Sequence, residues 1–275
     1  MFNDISVCVN DIQDRDYALI AACQFAERHN AKLTAFYIKF DSIEVLRWRG
    51  TSPTELAKQL LVDQDAREEN AKALFKTLTS KYSCQKSWKT ASQSSNPFGQ
   101  VLCTDIIFAE QPKPGQLFNR NDQGFLNQLI LESKRPIVMI PYGWELDLLA
   151  KKVLLGWNAS AEAMRAVSDA LPILKESEEL CVLDIVVEKL FADEQHHTYA
   201  LEDYLTAKDI DFKTIIEHAS GQLTAPRQLT DYAKLENSDL IVVGGYGHSR
   251  LRETVLGGMT DYLINKSTIP VFFSH

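Results

Sequence analysis

Glycine is concentrated in one stretch of the carboxyl-terminal half, at spacings that suit the binding of a phosphate group. The stretch opens with Gly244-Gly245-Tyr246-Gly247 and, after nine further residues, closes with Gly257-Gly258-Met259-Thr260. Glycine has no Cβ atom, so phosphate oxygens can approach its backbone N–H group closely. A helical pattern that begins near residue 258 adds the N–H groups and the dipole of a helix N-terminus. The spacing therefore predicts an anion site, with the Thr260 hydroxyl as a further donor or as a helix cap.

The segments on either side of this stretch give it the context that a phosphate loop requires. The apolar run 240–243 precedes the first glycine, and a helical pattern follows the last one. A G-x-x-G spacing alone is explained equally well by a turn. Two interpretations stay open for the residues between the glycines: Arg250 and Arg252 contact phosphate or carry surface charge, and His248 contacts phosphate or lies on an exposed loop.

The chain contains an internal repeat. Asp105 and Asp239 stand in matching apolar segments 134 residues apart, and Pro136 and Pro270 are separated by the same 134 residues. The two opening apolar segments are 148 residues apart, counted from Asn10 in one to its counterpart in the other. The first half therefore holds extra residues before Asp105. A long helical pattern over about 52–81 is where we expect them.

Strand and helix patterns alternate in each half. In the second half, strands are predicted near 152–157, 180–187, 212–216, 239–244 and 269–273, and helices near 160–174, 194–206, 224–236 and 258–266. Strands that are apolar at every position suit a sheet covered on both faces, and alternating strand–helix–strand units require parallel strands. The sequence thus predicts an α/β fold of two tandem, doubly wound, mostly parallel, Rossmann-like five-stranded sheets, in domains 1–145 and 150–275. Ligands of such sheets bind beyond the carboxyl ends of the strands.

Composition excludes several classes of partner. The net charge of −8 and the pI of about 5.3 argue against binding to nucleic acid, which depends on clustered Lys and Arg. No apolar run reaches the roughly 20 residues of a membrane-spanning helix, and residues 1–4 lack the features of a signal peptide. We expect a cytoplasmic protein without a membrane partner. The five cysteines form no C-x-x-C pair and are expected to be reduced and structural, and the scattered histidines predict no metal site.

The spacing G-x-x-G-x9-G at Gly244, Gly247 and Gly257, together with the opening segment 153–160, resembles the universal stress protein family and its tandem-domain members. The resemblance implies an adenine nucleotide alpha hydrolase-like fold and a site for ATP, ADP or AMP, with Mg as an optional companion of the nucleotide. It places Gly156, Trp157 and Asn158 near the ribose and base, Ile185 against the adenine, and Val243, Gly244, Tyr246, Gly247, Gly257, Gly258, Met259 and Thr260 around the phosphates. It implies no catalytic residue.

Two residues depart from the family pattern. Gly258 replaces the usual Ser or Thr and so removes a hydroxyl, although its backbone N–H group remains. Asn158 stands where many members have Asp, so that a neutral amide would hold the ribose. The two departures predict weak or altered nucleotide affinity.

The first half lacks most of the loop. At an offset of 134, Glu110, Lys113 and Gln123 occupy the positions of the three spaced glycines, and Gly124 is the one glycine kept. A carboxylate about 4 Å from a phosphate charge is repelled by roughly 4 kcal/mol at an effective dielectric of 20. We therefore predict that the first half has lost phosphate binding and serves as a structural partner.

Three functions remain open at this level. The first is a nucleotide-binding module that regulates partners under stress, with at most slow ATP hydrolysis, since no Walker-type loop is present. The second is a nucleotide-free scaffold in which both sites are vestigial. The third is a slow ATPase or adenylyl-transferring enzyme of similar fold. The resemblance also implies pairing of the closing strands, 136–141 and 270–274, within one chain as a pseudo-dimer, and it leaves a further homodimer open.

Overall fold

The chain is seen as two compact units in a computed structural model. The structure describes residues 1–9, 15–39, 54–92, 99, 101, 103–112, 119–145, 149–186, 195–218, 224–246 and 258–275. Contacts between Cα atoms divide these residues into the units Phe2–Glu110 and Gln111–His275.

The N-terminal unit is a parallel sheet with helices. Its elements are β1 (Asp4–Val9), α1 (Tyr17–Arg28), β2 (Lys32–Lys39), α2 (Thr54–Thr79), β3 (Lys86–Ser92) and β4 (Ile106–Glu110). The strand order is β3-β2-β1-β4, and neighbouring strands pair in parallel. Helix α1 begins after Asp16, whose side chain accepts the N–H of Leu19 at 2.7 Å. The ring of Phe25 on α1 packs against Phe108 of β4, with centroids 5.4 Å apart.

The C-terminal unit has a larger sheet. Its elements are α3 (Asn119–Glu132), β5 (Ile137–Ile140), β6 (Lys152–Trp157), α4 (Ala161–Glu176), β7 (Glu179–Val186), α5 (Gln195–Thr206), β8 (Lys213–His218), α6 (Ala225–Leu235), β9 (Leu240–Gly244), α7 (Gly258–Lys266) and β10 (Val271–Ser274). The strand order is β5-β10-β9-β6-β7-β8. Strands β6 to β10 pair in parallel, and β5 pairs with β10 in the antiparallel sense.

The central strands are covered on both faces. Residues 240–243 of β9 are all buried, as are 271–274 of β10, and the continuous apolar runs 240–243 and 271–273 are typical of a doubly wound sheet. The predicted α/β class with mostly parallel strands is confirmed, and the strand and helix limits predicted for the second half agree to within a few residues. Within the described ranges, no helix combines the length and apolar character needed to cross a membrane.

The internal repeat is visible in local structure. The carboxylate of Asp105 accepts the N–H groups of Asn3 and Asp4 at 2.7 and 3.0 Å. Its counterpart Asp239 accepts those of Lys151 and Lys152 at 3.0 and 3.2 Å. Each aspartate thus fixes the start of the first strand of its half. The extra length of the first half lies in α2, which has 26 residues against 12 in α5, as predicted.

The boundary between the units follows the contacts of β5. Residues 137–139 pair with β10, and the Gln111 side chain donates from Nε2 to the carbonyl oxygens of Ile264 and Ser267 at 2.8 and 3.1 Å. For this reason α3 and β5 are grouped with the C-terminal unit by contact, although the repeat groups them with the first half. The domain limits 1–145 and 150–275, which follow the repeat, stay a prediction.

Candidate functional site

The strand order of the C-terminal unit defines one crevice. From β6 the chain proceeds through β7 to β8 on one side, then crosses to β9 on the other side of β6 and continues to β10. The connections therefore leave β6 and β9 in opposite directions, which opens a crevice at the carboxyl ends of these two strands. Trp157 ends β6 and Gly244 ends β9. Both were predicted site residues, and the fold brings their strand ends together.

The end of β6 is followed by a tightly bonded turn into α4. Ser160 caps the helix by accepting the N–H of Ala163 at 3.1 Å. Asn158 Oδ1 accepts the Ser160 N–H at 3.2 Å and the Ser160 hydroxyl at 2.7 Å. A carbonyl oxygen has two lone pairs, so these two bonds occupy the acceptor side of the Asn158 amide. The predicted contact of Asn158 with a ribose would have to use its NH₂ group.

Two of the predicted site residues pack against each other in the core. A Cβ atom on Gly156 would lie 3.0 Å from Val243 Cγ1 and 3.2 Å from Leu229 Cδ1 of α6. Val243 is itself buried. Gly156 therefore allows α6 to pack closely on the sheet, which is a packing reason for the glycine in addition to the predicted ligand contact.

Gly244 lies against the first turn of α4. A Cβ atom at this position would lie 2.6 Å from the Glu162 carbonyl carbon, 2.7 Å from Ala163 N and 2.8 Å from Glu162 Cβ. No side chain fits there without moving the helix. The glycine at the end of β9 thus sets the distance between this strand and the N-terminus of α4.

Backbone N–H groups after Gly244 have partners inside the protein. Gly245 N donates to the Ser274 carbonyl at 2.7 Å, and Tyr246 N donates to Thr260 Oγ1 at 3.2 Å. The Tyr246 side chain is buried and donates its hydroxyl to Asn127 Oδ1 of α3 at 2.7 Å. Tyr246 has a positive φ of 47°, and this conformation turns the chain out of β9. The placing of Tyr246 and Thr260 around phosphates stays a prediction, and the Tyr246 N–H is already engaged.

The N-terminus of α7 is the part of the predicted loop that is most open. Gly258 begins the helix, is exposed, and has no atom within 4 Å of the position of a Cβ atom. Met259 is half-buried beside it. The first N–H groups of a helix have no partner within the helix, so this end can bind an anion. Gly247 and Gly257 lie outside the described residues, as do His248, Arg250 and Arg252.

Ile185 lies near the carboxyl end of β7, one strand beyond β6. The register pairs Trp157 with Asp184, so Ile185 follows directly after the residue opposite Trp157. It is half-buried. This position, at the same edge of the sheet as Trp157, is compatible with the predicted contact to a base.

Two buried polar atoms, one on the last residue of β6 and one in the first turn of α4, have no hydrogen-bond partner among the described residues. They are the indole Nε1 of Trp157 and the carboxylate Oε2 of Glu162. Trp157 was a predicted site residue, whereas Glu162 was missed. The sequence carries no signal for Glu162, because a glutamate in the first turn of a helix is ordinary helix chemistry. Buried polar groups without partners are rare, and they often mark places where a ligand or water binds.

The corresponding place in the N-terminal unit is occupied by the protein itself. Glu110, the counterpart of Gly244, ends β4 and accepts the N–H of Tyr17 at 2.9 Å with its Oε2. Tyr17 is the first residue of α1. The glutamate side chain therefore lies across the carboxyl end of the sheet at the point where α1 begins.

The C-terminal unit is a doubly wound α/β unit with a crevice at its reversal of strand order, and in sheets of this class ligands bind at that edge. Comparison with known proteins shows what this unit is similar to. Residues 150–275 match the sequence model of the universal stress protein family. Over these residues, which are a little under half of the chain, the sequence is similar to that family.

Relatives extend the likeness over most of the chain. Universal stress protein Slr1230 of Synechocystis sp. is 26% identical over 240 residues, which cover 81% of this chain and 79% of that protein. The crystal structure of a universal stress protein from Archaeoglobus fulgidus superposes with a TM-score of 0.69 at 13% identity, over 98% of this chain and 97% of that one. At that identity the structural likeness shows the fold alone.

The same fold also occurs in another setting. The cytoplasmic domain of a prokaryotic cation chloride cotransporter has a TM-score of 0.50 and 11% identity to this chain, with coverage of 99% and 95%. Because one fold serves different proteins, function has to be argued from the site.

Proposed function

We propose that the C-terminal unit binds an adenine nucleotide and acts as a regulatory binding module in a stress response. In this proposal the phosphates lie at the N-terminus of α7, and the sugar and base lie across the carboxyl ends of β6 and β7. ATP is the first candidate, with ADP and AMP as alternatives and Mg as a companion of the phosphates. A cytoplasmic location stays the expectation from the sequence.

One observation carries the proposal: at the carboxyl ends of β6 and β9, the last residue of β6 and the first turn of α4 each have a buried polar atom without a hydrogen-bond partner in the described part of the protein, and the helix that follows β9 begins with an exposed glycine. The helix N-terminus suits phosphate, and a sugar and base offer the donors and acceptors that the polar atoms lack. The residues present therefore fit a nucleotide.

The N-terminal unit has a different role in the proposal. Glu110 places a carboxylate where the C-terminal unit has Gly244, and this carboxylate already bonds to the start of α1. A phosphate there would meet a negative charge and would compete with that bond. We propose that the N-terminal unit supports the C-terminal one. The antiparallel pairing of β5 with β10 fits the intrachain pseudo-dimer that the family resemblance implies, and a homodimer remains a separate expectation.

A nucleotide-free scaffold is the second candidate function, and two observations favour it. The N–H groups of Gly245 and Tyr246 are bonded within the protein, and Gly258 lacks the hydroxyl usual in the family. Both reduce the number of groups available to a phosphate. The two functions differ in one measurable property, which is nucleotide binding.

Isothermal titration calorimetry of the nucleotide-stripped full chain with ATP and MgCl₂ tests the proposal. We expect saturable binding with one site per chain. Gly258→Val should weaken it at least about tenfold, because a branched side chain would cover the helix N-terminus. Gly124→Val is the matched control, since Gly124 is the repeat counterpart and also has no atom within 4 Å of a Cβ position. Absence of binding up to about 1 mM ATP would favour the scaffold.

A further inference from the structure

Trp157 and the first turn of α4, which carries Glu162, lie on the same face of the sheet. A Cβ atom on Gly156 would point toward α6, and side chains alternate along a strand, so Trp157 points to the opposite face. That is the face on which the first turn of α4 covers Gly244. The pairing of β6 with β9 places Leu155 beside Val242. Continued by two residues, the same register places Trp157 beside Gly244. Glu162 therefore lies over the strand that adjoins Trp157.

The two side chains have complementary hydrogen-bonding character. Trp157 is 7% exposed, and its indole Nε1–H can only donate. Glu162 Oε2 is a carboxylate oxygen and accepts when ionised. Neither atom has a partner in the described part of the chain, although both are buried. A bound group that both accepts and donates would satisfy the pair, and a hydroxyl is such a group.

Other ligand groups suit this pair less well. A phosphate would be repelled by the Glu162 carboxylate. A metal ion prefers a set of oxygen ligands, and the Trp157 N–H offers a positive hydrogen instead. Asn158, where the family resemblance places the ribose contact, has its carbonyl oxygen occupied by two bonds from Ser160. The carboxylate that can receive a sugar hydroxyl is thus on α4 and not at the end of β6.

We infer that Trp157 and Glu162 bind the ribose hydroxyls of the nucleotide, with Glu162 supplying the acceptor that Asn158 does not. This inference rests on the proposed function, because it names the residues that hold the sugar of the same ligand. It makes the site selective for ligands with an intact ribose diol.

The test compares ATP with 2′,3′-dideoxy-ATP, which lacks both hydroxyls, on the full chain by calorimetry. Wild type should bind ATP about tenfold more tightly, because hydrogen bonds to a charged acceptor are lost in the analogue. Glu162→Ala should remove most of this preference by weakening ATP alone, and Trp157→Phe should reduce it about threefold. Trp88→Phe is the matched control, since Trp88 Nε1 is also buried and without a partner among the described residues but lies in the N-terminal unit.

A second measurement reports on the indole itself. The chain has four tryptophans, and ¹⁵N labelling gives each an indole N–H signal. The two Phe variants assign the signals of Trp157 and Trp88. We expect the Trp157 signal to shift with ATP and to move much less with the dideoxy analogue. Glu162→Gln keeps the side-chain shape and should retain folding if the alanine variant does not. It should lower the ATP preference less than alanine does.

The outcomes separate the two proposals. Equal binding of ATP and its dideoxy analogue by wild type would overturn the sugar assignment and leave nucleotide binding intact. A hydroxyl preference that persists in both variants would place the sugar elsewhere. If Glu162→Ala weakens ATP only when Mg²⁺ is present, Glu162 is a metal ligand and the inference is wrong. Failure of wild type to bind either nucleotide would overturn the proposed function and this inference with it.

Discussion

Substitution of Gly244 by alanine tests how the crevice is built. The added Cβ atom would lie 2.6 to 2.8 Å from three atoms of residues 162 and 163, two of them backbone atoms. Backbone cannot rotate away as a flexible side chain can. To restore an ordinary contact of about 3.4 Å, the first turn of α4 would have to retreat by about 0.8 Å, which strains its packing on the sheet.

The effect of Gly244→Ala on the free energy of unfolding combines two opposing contributions. Overpacking of a well-packed site costs about 3 kcal/mol at the upper end of its usual range. Alanine in place of glycine also lowers the conformational entropy of the unfolded chain, and this stabilises the folded state by about 0.4–1 kcal/mol. We therefore expect Gly244→Ala to lower the free energy of unfolding by about 2 kcal/mol.

Urea unfolding of the full chain, followed by tryptophan fluorescence and by circular dichroism, measures this change. Two probes are needed because two units need not unfold together. Gly124→Ala is the control, since nothing lies within 4 Å of its Cβ position and the residue is inside α3. It should be stabilising by about 0.5–1 kcal/mol. If the free energy of unfolding of Gly244→Ala lies within roughly 0.5 kcal/mol of the wild-type value, the inference that β9 packs closely on α4 is wrong.

Further predictions concern packing, capping, buried hydrogen bonds and thiols. Gly156→Ala should cost about 1 kcal/mol, because its two side-chain neighbours need give only a few tenths of an ångström; a larger loss of stability in thermal unfolding would mean that they are rigid. Glu110→Ala should cost about 1 kcal/mol by removing the acceptor for the first N–H of α1, and Glu110→Gln should restore most of it. Tyr246→Phe should cost about 1–2 kcal/mol, because a buried amide oxygen on α3 loses its donor. In native protein at pH 8, iodoacetamide should label exposed Cys103 rapidly but not Cys8, since burial raises the pKa of the Cys8 thiol to about 12 and keeps it protonated; mass spectrometry showing equal labelling before unfolding would contradict this.

The order of elements could be predicted from the sequence because it depends on local patterns. Runs such as 240–243 are apolar at every position, and they form strands covered on both faces. The constant offset of 134 residues also located corresponding strands in both halves. The boundary between the two units could not be predicted from the sequence, because it depends on which strand β5 pairs with. A strand of four residues carries no sequence signal for its partner.

The roles of individual site residues were harder to predict. A glycine required for phosphate approach and a glycine required for helix packing have the same sequence signal, namely a missing Cβ. The structure gives Gly156 and Gly244 packing roles, whereas Gly258 remains open. Tyr246 bonds to Asn127, 119 residues away, and no periodic pattern reports such a contact. Glu162 could not be predicted because its proposed role depends on a buried carboxylate oxygen without a hydrogen-bond partner, and a sequence does not show which atoms lack partners.

The two halves of the repeat place a carboxylate near the same strand end in different ways. In the N-terminal unit it comes from the strand, as Glu110, and it has a partner in the first N–H of α1. In the C-terminal unit the strand ends in Gly244, α4 packs directly against it, and the carboxylate comes from the helix, as Glu162, with a buried oxygen that has no hydrogen-bond partner among the described residues. A carboxylate that is satisfied by its own chain has no need of a ligand, whereas a buried oxygen without a partner is costly until one binds. The exchange of glutamate for glycine at one position thus explains, in terms of hydrogen bonding, why we propose a ligand for one unit and not for the other.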